Sequence, residues 1–249
     1  MHLMFYRSAV ALVVVGALIA TSRQGVRQVT TRRLALHGVR NAIHFIAQFS
    51  WFHALMMIPL AQLSAVEFTA PLWVAVIAPL VLGERLSATR IVAALIGFIG
   101  ILVVVRPGAV PVGPGTMLAL VAAIGYACSM VATKRLVVTE TILAFLFHMS
   151  WMQLVMAAIA IGPRVTLPGL ETLPWLAGVA LCGLSAHFAL ARAFTFADAI
   201  IVAPMDFLRL PLIMGVGVII YGEPLEVWVL AGGAIVIAAN VINLLGERR

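Results

Sequence analysis

Long apolar runs, separated by short polar or Gly/Pro-rich gaps, repeat along this chain from end to end. Read against the roughly 20 residues a helix needs to cross a bilayer's hydrocarbon core, they predict nine helices: 3–21, 35–57, 60–82, 88–105, 115–133, 141–162, 173–193, 199–221 and 227–245. The gaps leave no room for a separate soluble domain. Between the third and fourth runs, Gly83-Glu84-Arg85-Leu86-Ser87 supplies a helix-ending glycine, exposed charges and a serine suited to cap the next helix. The strongest internal boundary lies between Arg106 and Gly115, where RPGAVPVGPG cannot continue a helix. It divides the chain into a first repeat, 1–106, and a second, 115–249.

A shift of 139 positions lays the second part on the first: Phe188 on Phe49, Ala193 on Ala54, Asp206 on Glu67, and Gly222-Glu223-Pro224-Leu225 on Gly83-Glu84-Arg85-Leu86. Acids inside membrane spans are costly, so the matched pair Glu67 and Asp206 is informative. The helix at 115–133 has no counterpart ahead of Met1, which predicts either a longer product or a working unit of nine helices. Basic residues predict orientation. Arg23, Arg27, Arg32, Arg33, Arg85, Arg90, Lys134, Arg135, Arg192, Arg248 and Arg249 collect on one side, leaving Arg106, Arg164 and Arg7 to the other. The first side is cytoplasmic by the positive-inside rule, and the C-terminus with it. The two copies then face opposite ways, the inverted-repeat architecture of many secondary transporters.

Composition agrees. With 63% hydrophobic and 10% charged residues, the chain lies far outside the soluble range. A mean hydropathy of +1.14 points the same way, to an all-α polytopic membrane protein. The formal charge of +7 sits mostly in inter-span loops, so it reads as an orientation signal and not as a nucleic-acid surface. Cys128 and Cys182 lie inside apolar runs and read as small packing residues, with no disulfide framework or metal motif. The first run is followed by Thr21-Ser22-Arg23 and further spans, so it reads as a span and not as a cleaved signal.

The second helix carries the most informative polar pattern. His37, Arg40, Asn41, His44, Gln48 and Trp51 recur at threes and fours and so share one face. That face serves either interhelical hydrogen bonding, with Arg40 snorkelling to the cytoplasmic end, or one wall of a polar cavity. Glu67 shares a face with Ser64 and Pro71, and the proline is expected to loosen the helix beside the carboxylate. In the matching helix Asp206 and Arg209 stand three apart, between Pro204 and Pro211. They form either a self-neutralising structural pair or a site in which Arg209 takes an anionic substrate group and Asp206 a cation or proton. Tyr126, Ser129 and Thr133 make a weaker stripe. His148 with Trp151, and Ser185 with His187, add ring and hydroxyl groups.

The run Ala65-Val66-Glu67-Phe68-Thr69-Ala70-Pro71-Leu72-Trp73, then GERLS and an apolar helix with Gly97 and Gly100, is echoed by APMDFLRLP and YGEPL. This resembles the EamA family of the drug/metabolite transporter superfamily over almost the whole chain. The resemblance implies ten helices in two inverted repeats, one more than the runs supply here. It also implies movement of a small polar or zwitterionic metabolite through a central cavity. Candidate substrate-binding residues are Arg40, Asn41, His44, Gln48, Trp51, Glu67, Tyr126, His187, Asp206 and Arg209; the hinge acids Glu84 and Glu223 are given loop roles. No catalytic residue, metal or cofactor is expected. The expected partners are the metabolite and the bilayer of a bacterial inner membrane, with no nucleic acid and with homodimerisation left open. The alternative is a membrane-embedded enzyme such as an intramembrane hydrolase, which Gly183-Leu184-Ser185-Ala186 loosely suggests although Ala186 replaces the usual glycine. No HExxH pattern and no GxxxxGK[ST] loop is present.

Overall fold

Backbone amides in hydrocarbon find no water, so apolar runs of this length satisfy their hydrogen bonds internally, as helices. The computed structural model describes residues 1–58, 63, 66–85, 87–105, 113–163, 166–209, 219 and 227–246, and among these every regular element is helical. The α-helices are α1 (His2–Thr21), α2 (Leu34–Leu55), α3 (Ala70–Leu82), α4 (Ala88–Val105), α5 (Pro114–Val137), α6 (Ile142–Ile161), α7 (Leu173–Phe196), α8 (Ala199–Val202) and α9 (Val227–Gly246). Short 3-10 segments occupy Gly25–Val29, Leu170–Thr172 and Ala203–Leu208. Among the described residues, α1, α5, α6 and the stretch Leu170–Phe196 are both long and apolar enough to cross a membrane. At 22 residues α2 has the length, but its polar face keeps it out of that group.

Two expected helices are not continuous. The run at 60–82 is helical at Leu63, Val66 and Glu67, turns at Phe68 and Thr69, and restarts as α3 with Pro71 in its first turn. The run at 199–221 begins as the four residues of α8 and tightens into the 3-10 segment with Pro204 in its first turn. Proline lacks an N–H and its ring blocks the preceding turn, so a helix tolerates it best where it starts. Ser64, Arg106, Arg164, Pro211 and the second hinge, Gly222 to Leu225, lie outside the described residues.

The chain divides into two compact units, residues 1–45 with 132–196 and residues 46–131 with 197–249. In the first, α1 packs on α6 and α7 through a stripe of Met4, Ser8, Ala11, Val15 and Ile19 at helical spacing. Thr141 starts α6 by accepting the Ala144 N–H at 3.0 Å, and its hydroxyl donates to the Gln28 carbonyl at 2.9 Å. That second bond ties the 3-10 segment Gly25–Val29 to the head of α6.

In the second unit α4 lies along α9, and glycines set the spacing. A Cβ on Gly97 would stand 2.5 Å from Phe207 Cδ2, and one on Gly100 would stand 2.9 Å from the Gly232 carbonyl oxygen. The hinge after α3 matches its sequence reading. Gly83 ends the helix in the left-handed region (φ 72°), and Ser87 Oγ accepts the Arg90 N–H at 3.3 Å. Glu84 does more than fill a loop: its carboxylate accepts the N–H groups of Ala199 at 2.8 Å and Ile200 at 3.1 Å, capping the first turn of α8. Glu84→Ala should therefore cost about 1–2 kcal/mol of stability, the usual loss for an N-terminal cap. The check is an unfolding titration of the purified protein in SDS; an unchanged midpoint would contradict it.

Candidate functional site

Each unit holds its own polar cluster. In the second, the two repeat-matched acids stand where regular α-helix gives way. Glu67 immediately precedes the Phe68-Thr69 turn, and Asp206 lies within the 3-10 segment Ala203–Leu208. Both face the same guanidinium. Arg209 Nη2 donates to Glu67 Oε1 at 2.8 Å and lies 3.5 Å from Asp206 Oδ2. The other Glu67 oxygen accepts the Trp51 indole N–H at 2.7 Å. The guanidinium lies over the Phe68 ring, 5.1 Å from its centroid, and within electrostatic range of Tyr126. Phe68 in turn packs edge-on against Phe207.

This arrangement changes the expected pairing. Arg209 and Asp206 were matched by spacing, but the shorter bond runs to Glu67. Trp51, Glu67, Asp206 and Arg209 are thus brought together as one cluster. Both acid contacts use Nη2, so the Nη1 and Nε donors of Arg209 make no hydrogen bond among the described residues. The Arg209 side chain is 44% exposed and that of Asp206 47%, against 16% for Glu67. A guanidinium with a free edge can grip a carboxylate or phosphate, and the aromatic rings beside it offer a face to a flat or cationic group.

The first unit holds the N-terminal part of the polar face of α2. Arg40 is 1% exposed and does not snorkel. Its Nε–H donates to Thr133 Oγ1 at 3.1 Å, its Nη1 to Asn41 Oδ1 at 3.1 Å, and its carbon centre lies 4.9 Å from the Phe145 ring centroid. Among the described residues no carboxylate comes within ion-pair distance of it. Asn41 is buried, and its backbone and side-chain oxygens accept from Gln153 Nε2 at 3.0 and 3.3 Å. His37 Nε2 sits 2.6 Å from Glu140 Oε2, while the Thr31 hydroxyl donates to Glu140 Oε1.

His148 is a structural member. Its Nδ1 accepts from the Trp151 indole at 3.0 Å and its Nε2 donates to the Val29 carbonyl at 2.9 Å, which fixes the neutral tautomer. The rings of His44 and His187 meet edge to face with centroids 5.2 Å apart. They help to line a small cavity of about 20 Å³ together with Arg7, Ser8, Ser150 and Gln153.

Of the remaining expected residues, Gln48 is buried and Tyr126 half-buried, both in the second unit. Ser185 is exposed on α7 and does not line the cavity with His187, and Cys182 is exposed instead of packed. Among the described residues no three His, Cys, Asp or Glu side chains are grouped to hold a metal. Arg7, Glu140 and Gln153 were missed. A charge inside the first apolar run was the available signal for Arg7; nothing in the spacing pairs Glu140 with His37.

Residues 1–106 match the model of the EamA-like transporter family. The S-adenosylmethionine uptake transporter of Rickettsia bellii (strain RML369-C) is 26% identical over 90% of this chain and 77% of its own length. The riboflavin transporter of Brucella anthropi is 27% identical over 95% of this chain and 85% of its own, and that of Vibrio cholerae serotype O1 is 28% identical over 92% and 77%. One solved crystal structure superposes with a TM-score of 0.75 at 22% identity, over 99% of this chain and 88% of its own, which speaks for the fold alone.

Proposed function

We infer from this chain's likeness to EamA-like transporters that it is a multi-pass membrane protein, not an enzyme, and a secondary permease that moves a small polar or zwitterionic metabolite. The observation that carries the reading is Arg209 held by Glu67, beside the turn at Phe68 and Thr69, and by Asp206, within the 3-10 segment Ala203–Leu208. Transporters place substrate and ion sites at discontinuous helices, because the interrupted backbone and costly charges are tolerated only where they serve a cavity. In this reading the open edge of Arg209 takes an anionic group of the substrate. Glu67 and Asp206 balance a cation or proton, and Trp51, Phe68 and Tyr126 contact the remainder. The two inverted repeats, 1–106 and 115–249, the central route and the cytoplasmic C-terminus in a bacterial inner membrane belong to the same proposal; the distribution of basic residues supports the orientation.

Among the named cargoes of the relatives, S-adenosylmethionine suits this cluster better than riboflavin. It carries a carboxylate for Arg209 and positive charge for the acids, whereas riboflavin offers neither. The test is accumulation of labelled S-adenosylmethionine by proteoliposomes holding the purified protein, with riboflavin in parallel. Uptake of S-adenosylmethionine above protein-free vesicles, suppressed by excess unlabelled compound, is expected. Riboflavin uptake alone would displace the zwitterionic reading, and uptake of neither would end the substrate assignment.

A further inference from the structure

We propose that the connector between α1 and α2, residues 22–33 in the first unit, is a docking surface for anionic phospholipid headgroups of the leaflet on which it lies. It is separate from the cluster around Arg209 and uses none of the candidate substrate residues.

The connector has two faces made by different residues. Inward, it is fastened to the end of α5 and the head of α6. Thr141 Oγ1 donates to the Gln28 carbonyl and His148 Nε2 to the Val29 carbonyl, each at 2.9 Å. The Thr31 hydroxyl donates to Glu140, and Arg33 Nη1 donates to the Arg135 carbonyl at 3.2 Å. Within the connector, Gln28 Nε2 donates to the Gly25 carbonyl at 2.9 Å and Thr30 Oγ1 to the Arg27 carbonyl at 2.8 Å, which brace the 3-10 segment Gly25–Val29. Outward, Arg23, Val26, Arg27, Arg32, Arg33 and the adjoining Leu34 are exposed. The arginines therefore stand on a fastened shelf.

Charge decides what the outward face takes. Residues 22–34 contain four arginines and no acid. Glu140, whose carboxylate reaches the connector, is engaged by His37 and Thr31. Among the described residues no carboxylate pairs with Arg23, Arg27 or Arg32. Location decides which anion it is. The connector begins directly after Thr21, the end of a helix long and apolar enough to cross a membrane, so its arginines stand where hydrocarbon gives way to phosphate. Guanidinium groups hold phosphate oxygens through parallel N–H donors. Val26 is 74% exposed between Arg23 and Arg27, and Leu34 is 51% exposed beside Arg33. Apolar side chains set among basic ones suit a lipid surface, where they enter the boundary of the acyl chains while the charges meet headgroups. A water-soluble anion would make no use of them.

The experiment is thermal unfolding of the purified full chain in uncharged maltoside micelles, with phosphatidylglycerol or phosphatidylcholine of the same acyl chains added stepwise. Phosphatidylglycerol should raise Tm along a saturating curve, as expected of a ligand held only by the folded state, and phosphatidylcholine should not. The triple variant Arg23→Gln, Arg27→Gln, Arg32→Gln should raise the half-saturating fraction of phosphatidylglycerol by about tenfold or more. Val26→Ser, which leaves every charge in place, should raise it about twofold. Arg27→Gln alone should raise it more than Arg85→Gln, which removes an equal charge from the hinge after α3; these single variants decide the matter if the triple one fails to fold. Equal effects of Arg27→Gln and Arg85→Gln would mean attraction to net charge alone and would overturn the surface. An equal response to phosphatidylcholine would overturn the role of the headgroup charge, and an equal response to glycerol phosphate at the same concentration would assign a free phosphate in place of a lipid. The absence of any response to phosphatidylglycerol, or an unchanged one in the triple variant, would refute the proposal.

Discussion

Arg209→Lys is expected to lower substrate binding by at least thirtyfold while leaving the protein folded. Lysine keeps the charge and can still meet Glu67, but it loses the planar fork whose Nη1 and Nε donors are open to a carboxylate. What is lost is one or two hydrogen bonds to a charged group, each worth about 1.5–3 kcal/mol, which corresponds to roughly thirtyfold or more in affinity. The structure also dictates the control. Replacing Asp206 and Arg209 alone would strand Glu67, so the neutralising variant must be triple: Glu67→Gln, Asp206→Asn and Arg209→Leu. If the cluster only balances its own charges, that variant should bind and transport normally. The expected result is a folded protein that binds no substrate, measured by equilibrium binding and by proteoliposome uptake. Normal uptake by the triple variant would reduce the cluster to a structural role.

Gly100→Leu should have the largest effect on folding. Even the first carbon of a side chain would stand 2.9 Å from the Gly232 oxygen, 2.9 Å from Val236 Cγ2 and 3.0 Å from Ile235 Cγ2. The nearest obstacle is backbone, which cannot rotate away. Close approach through small residues is a main source of helix association where lipid competes for apolar contact. Gly100→Ala should cost about 1–3 kcal/mol by overpacking, and leucine should prevent α4 and α9 from packing as they do here. Yield of monodisperse protein and the SDS unfolding midpoint provide the measurement. A leucine variant with wild-type stability would show that the two helices can separate at no cost.

The helices were legible because apolar length is a one-dimensional property. The face of α2 was legible because threes and fours on a helix are local as well: His37, Arg40, Asn41, His44 and Gln48 are all buried. The bond between Arg209 and Glu67 was not, since 142 residues separate them and spacing offers only the neighbour three positions away. The interruption near Glu67 was legible through Pro71, which predicts a loosened helix beside the carboxylate, but hydropathy records neither it nor the one near Asp206. Phe68, Thr69 and Ala203 are as apolar or as small as residues of a continuous span, so hydropathy runs through a break without recording it. Arg7 was read as part of the charge distribution along the loops, and that reading drew attention away from its position inside α1.

Arg40 has a consequence for how the chain is made. The guanidinium is accommodated by Thr133 and by the ring of Phe145, and Thr133 follows it by 93 residues. At about 5–20 residues per second, α2 is synthesised roughly 5 to 20 seconds before its first distant partner exists. During that interval its charge has no neutral cradle, and holding it at the centre of a bilayer would cost about 2.5–3.5 kcal/mol on insertion scales. Membrane entry of α2 is therefore provisional. The final seat of α2 is expected only once Thr133 of α5 and Phe145 of α6 have been made.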